Sequence, residues 1–196
     1  MYRKQMILQR ITSYLLLACA ALVFIYSLGI MTDLYDSLYL VSSYKPTHFM
    51  YVEGSSIYFE MQDFNKALTA AGIVLILSAV ALFVFKSHDR RKYYIANYLT
   101  IGLNAVLNIG VAVWGLMNVL TYKTQYLTTV DFAKLKELSE MLPGSFTYTD
   151  STFWFDIGWA VFIPLLLATA LSIGCLIWKI TLMNAERRLV EEGKEA

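Results

Sequence analysis

"IANYLTIGLNAVLNIGVAVWGLMNVLT", Ile95–Thr121, contains no Asp, Glu, Lys or Arg. A helix needs roughly 20 predominantly apolar residues to cross a hydrocarbon core about 30 Å thick, and this run exceeds that. Three further stretches share the property: Ile11–Met31, Ala67–Phe85 and Ile157–Trp178. A soluble core seldom offers four such runs in 196 residues, and 16% charged residues against a usual value of about 25% points the same way. The expected fold class is an all-α integral membrane protein: a four-helix transmembrane bundle.

The runs divide the chain. Residues 1–10 precede the first span (11–31), an outer loop covers 32–66, and the second span is 67–85. A short turn (86–94) leads to the third span (95–121). A second outer loop (122–156), the fourth span (157–178) and a tail (179–196) follow. The first run has a basic flank, as a signal peptide does. It is longer than a signal core, no small-residue cleavage site follows it, and it continues through the lipobox-like "LLAC" at Leu16–Cys19. Both cysteines, Cys19 and Cys175, fall inside spans, so neither outer loop has a disulfide framework.

Charge sets an expected orientation. Arg3, Lys4, Arg10, Lys86, Arg90, Arg91, Lys92, Lys179, Arg187, Arg188 and Lys194 lie on one side. The long loops hold only Lys45, Lys66, Lys123, Lys134 and Lys136. The basic side is expected to be cytoplasmic, with both termini there, in a multi-pass protein of a bacterial cytoplasmic membrane. Tyr35, Tyr39, Tyr122, Tyr126 and Trp154 mark the outer ends of the spans, and Tyr93, Tyr94 and Trp178 the inner ends. These are the candidate interface anchors, because amphipathic rings favour the headgroup level.

Several phrases recur in the same order. "GSSIY" at 54–58 returns as "GSFTY" at 144–148, "ITSYL" at 11–15 as "IANYL" at 95–99, and "YDSLYL" at 35–40 as "YKTQYL" at 122–127. Either a helix–loop–helix unit was duplicated in tandem, giving parallel repeats about an axis along the membrane normal, or an aromatic-rich chain repeats itself by chance. The outer loops read differently from each other. Aromatic and β-branched residues flank "EGSS", which predicts a β-hairpin over about 49–60. "TTVDFAKLKELSEMLPGS" predicts a short amphipathic helix over about 130–142, with Thr129 as N-cap. Together they would form a small extracytoplasmic cap.

The third span carries Asn97, Asn104, Asn108 and Asn118. Steps of seven and four put the first three on one face, with Gly115 close by. Lipid offers an amide no partner, so the stripe must meet protein or water. One reading is helix–helix packing, the other a polar path. The small residues Ala67, Ala71, Ser78 and Ala81 line the second span, and Pro164 is expected to kink the fourth. No motif for a nucleophile, phosphate loop or zinc helix occurs. His48 and His88 have no ligand partners at metal-site spacing. No catalytic residue, metal or cofactor is expected. The expected partners are the lipid bilayer and either another membrane protein or further copies of this chain, and not nucleic acid. A non-catalytic accessory or scaffold subunit is the favoured function. The alternative is an oligomeric channel or small-solute transporter lined by the asparagine stripe.

Overall fold

A computed structural model describes residues 2–42, 49–86, 94–145 and 147–195. Six helices follow one another: α1 (Tyr2–Gly29), α2 (Thr32–Ser42), α3 (Ile57–Lys86), α4 (Tyr94–Thr129), α5 (Phe132–Met141) and α6 (Phe153–Glu195). Four of them, α1, α3, α4 and α6, are long and apolar enough to cross a membrane. α3, α4 and α6 each contain a charge-free run and continue beyond it, and α1 begins well before its run and ends two residues short of Met31; charged residues disrupt membrane burial and not the helical backbone. α6 continues through Pro164.

The long helices form a ring in the order α1, α3, α4, α6, with α6 closing back on α1. Every neighbour is antiparallel. Tyr14 of α1 meets Phe83 of α3 and Ser27 meets Thr69, while Gln5 reaches Cys175 of α6 and Gly29 lies under Trp154. The core is a column of aliphatic and aromatic side chains, among them Leu16, Val23, Leu75, Ala112, Phe162 and Leu165. Small residues set the close approaches. Gly72 sits against the backbone of Phe24, and the Phe162 ring lies where Gly115 would carry a side chain. Many outward residues of the long helices, such as Leu77, Val106 and Leu171, are large and apolar.

The expected β-hairpin over 49–60 is not there: no strand occurs among the described residues. Val52–Ser55 forms a tight turn, with Ser55 donating from both its N–H and its Oγ to the Val52 carbonyl (3.3 and 2.6 Å). The helix α3 begins directly after it. Ser56 stands at the cap, its carbonyl accepting from Phe59 N–H and its Oγ donating to Glu60 Oε1 at 3.2 Å. The residues read as a strand are the first apolar positions of a helix. Ile57, Met61, Phe64 and Leu68 are all buried, at spacings of four, three and four. A Ser-Ser pair ahead of a helical period is a helix start, and that signal outranks the β-propensity of Ile57, Tyr58 and Phe59.

Two short helices cover the end of the bundle away from the termini. α2 buries Leu34, Ser37, Leu38 and Val41, one face at helical spacing, and packs on α3. α5 buries Leu135 and Leu138. Its N-cap is Asp131 rather than Thr129, the carboxylate accepting from Lys134 N–H at 3.0 Å. Backbone bonds join the pieces. Asp131 N–H donates to Glu53 O (3.1 Å), and Thr147 N–H donates to Asp36 O (3.1 Å).

Gly54 and Gly144 are the positive-φ residues of the described chain, at 76° and 87°. These are the two glycines of the repeated "GSxxY" phrase, so the repetition extends to backbone conformation. Only glycine adopts such angles without steric cost.

Candidate functional site

Three asparagines of α4, Asn97, Asn104 and Asn108, face inward. Asn104 and Asn108 are buried, Asn108 donating from Nδ2 to Asn104 Oδ1 (2.9 Å) and Asn104 from Nδ2 to Ser78 Oγ of α3 (2.9 Å). Ser78 passes its own proton to Leu75 O at 2.9 Å. These bonds form a short chain across the α3–α4 seam. Gly115 lies one to two turns further along, against Phe162. Asn118 is set apart, since its Nδ2 donates to Trp114 O of its own helix at 2.8 Å.

Asn97 belongs to a second cluster, at the end that carries both termini. Its Oδ1 accepts from Lys179 Nζ of α6 (2.9 Å) and from Gln9 Nε2 of α1 (3.5 Å). Gln9 Oε1 accepts from Gln5 Nε2 (3.2 Å), which also reaches Cys175 O (3.3 Å). Thr12 Oγ1 lies 3.7 Å from Cys175 Sγ. Lys179 is only 7% exposed, and its ammonium lies 5.8 Å from the centre of the Tyr98 ring. Three helices thus converge on one amide–ammonium knot. Sequence reasoning missed it because Lys179 and Gln5 fall outside the charge-free runs. The available signal was Gln5, Gln9, Thr12 and Ser13 at helical spacing on one face of α1.

The aromatic anchor candidates separate into groups. Tyr35 and Tyr39 are exposed and stack at 5.0 Å, with Tyr58 beside both. Trp154 lies on Gly29, and Trp178 is half-buried. Tyr122 packs on Phe64 and donates to Glu60 O at 3.2 Å. Tyr126 is 1% exposed. Its ring sits between Phe132 and Phe155, and its hydroxyl donates to Thr149 O at 3.0 Å. It ties α4, α5 and the start of α6 together. Tyr93 lies outside the described residues, as do His48, His88 and the side chain of Tyr94.

The loop end holds two ion pairs among the described residues, Lys66–Asp63 (3.1 Å) and Lys123–Asp156 (2.6 Å). Thr152 Oγ1 also donates to Asp156, at 2.7 Å. An open groove of about 550 Å³ runs between α2 and the segment around Gly144, with Asp36 and Tyr148 on its walls. Tyr148 donates to Asp150 Oδ2 at 3.2 Å. Partial desolvation, then that carboxylate, raises its phenol above the usual range. No group of three His, Cys, Asp or Glu among the described residues could hold a metal ion.

No protein family, curated protein or solved structure matches this chain. The geometry alone therefore carries the functional reading. It comprises a filled bundle whose buried amides are bonded across helix seams, and a covered loop end.

Proposed function

We propose that this four-span protein is a non-catalytic accessory or scaffold subunit that docks on another membrane protein. The observation that carries the reading is the use made of the stripe: Asn104 donates to Ser78 of α3, and Asn108 donates to Asn104. The bond to Ser78 crosses between helices, and such bonds hold helices together at about 0.6 to 2 kcal/mol each. A second feature supports it. Gly102 and Gly110 of α4 and Gly174 of α6 have open space where a Cβ would stand. A mid-helix glycine costs roughly 0.5–1 kcal/mol relative to alanine, and close approach of another helix is what recovers that cost in lipid. The outward face of α4 is the proposed docking face.

Gly102→Leu with Gly110→Leu is expected to leave the isolated bundle at least as stable as the parent, since both side chains enter open space. The pair should abolish co-purification of a larger membrane protein in mild detergent. Recovery of copies of this chain alone, with ion flux in liposomes, would sink the accessory reading in favour of the channel.

The basic-residue asymmetry supports an orientation with both termini in the cytoplasm, and outer loops without cysteine fit the cytoplasmic membrane of a bacterium. In a chain with Cys19 and Cys175 replaced by serine, Glu140→Cys should react with an impermeant thiol reagent on intact cells, and Glu186→Cys should not. The reverse pattern would invert the orientation.

A further inference from the structure

The knot at the termini end finishes on an atom without a partner. Lys179 Nζ can only donate, so Asn97 turns its Oδ1 toward it. Gln9 must then present Nε2 to that same oxygen, which leaves its Oε1 facing Gln5. Gln5 therefore turns Nε2 toward Gln9 Oε1 and Cys175 O, both acceptors. The ammonium sets every link in one direction. At the end of the chain, Gln5 Oε1 has no donor, although Gln5 is 0% exposed. Flipping the Gln5 amide does not help, because it would set three oxygens against one another.

An amide oxygen buried without a donor costs about 1–3 kcal/mol. Groups of this kind in folded proteins are as a rule satisfied by an internal water. We propose that Gln5 Oε1 is a binding site for a water-sized hydrogen-bond donor, so that the termini end of the bundle is hydrated within. The ligand must donate, which excludes an anion as its direct partner. The same knot contains the Lys179 ammonium, which disfavours a cation. Water meets both conditions. Hydration stops within the bundle, because the next turns of α1 present Leu16, Ala20 and Val23, all buried and apolar. The termini end is wet and the middle of the bundle is dry.

The two native cysteines provide the test. Cys175 stands in the knot and Cys19 in the apolar turns above it. X-ray radiolysis of the protein in lipid nanodiscs generates hydroxyl radicals from bound water, and mass spectrometry reads oxidation at each thiol. Exposure alone ranks them the other way, with Cys19 at 7% and Cys175 at 4%. Cys175 is expected to oxidise several-fold faster than Cys19. Gln5→Leu removes the acceptor and should bring Cys175 down to the rate of Cys19. Equal rates in the wild-type chain would overturn the proposal, whether or not the variant folds. So would a folded Gln5→Leu protein with Cys175 still oxidised at the wild-type rate.

Discussion

Gly54→Ala is expected to unfasten the loop end of the bundle, whereas Gly144→Ala leaves it in place. Both glycines hold positive φ, at 76° and 87°. An L-residue forced into that region loses about 1–2 kcal/mol. Their surroundings differ. A Cβ on Gly144 meets nothing within 4 Å, so the backbone strain is the whole cost. A Cβ on Gly54 would lie 2.1 Å from Thr129 O and 2.3 Å from its carbonyl carbon, both backbone atoms at the α4–α5 junction. Neither can step aside as a side chain would. The turn must pull away, and the Asp131–Glu53 backbone bond goes with it. For a chain of this size each kcal/mol is worth roughly 2–4 °C in Tm. Gly144→Ala should lower the midpoint by a few degrees, and Gly54→Ala by more than twice as much. Thermal unfolding in one detergent compares them directly, and equal shifts would contradict the docking of Gly54 on α4.

Asn108→Asp separates a dry seam from a water-filled path. Asn108 is 1% exposed, and its amide proton goes to Asn104 Oδ1. An ionised carboxylate there loses that donor, faces an acceptor, and costs about 2.5–3.5 kcal/mol on the insertion scale. Membrane expression should fall sharply. Normal expression at neutral pH, with cation conductance in liposomes, would show that the stripe lines water and would overturn the accessory reading.

The four long helices were legible because lack of charge over some twenty residues is a strong constraint, satisfied in water by almost nothing else. The loop end was less so. α2 was missed because its buried face is only four residues, Leu34, Ser37, Leu38 and Val41, one of them polar and all interleaved with aspartates and tyrosines. The hairpin was inferred from aromatic and β-branched residues around a glycine, a pattern that a helix start shares once Ser55 and Ser56 act as turn and cap. The inward direction of Asn97, Asn104 and Asn108 followed from their spacing. Their partners did not, because Ser78, Gln9 and Lys179 come from other helices and nothing local pairs them. Tyr126 shows the same limit. Placed near the end of a span, it reads as an interfacial ring, yet three elements close over it.

The knot also gives the protein a clock. Gln5 precedes its partner Cys175 by 170 positions in the order of synthesis. The Ser27–Thr69 bond closes within the first pair of long helices, and the Asn104–Ser78 bond follows once the third is made. Gln9 and Asn97 can meet then too, but the ammonium that orients them arrives only with the last helix. Until α6 enters, a growing chain holds amides at one membrane face that nothing yet directs, the kind of polar surface lipid cannot satisfy. A product truncated or stalled before α6 is therefore marked by the undirected amides of α1 and α4, and the arrival of α6 is what removes the mark.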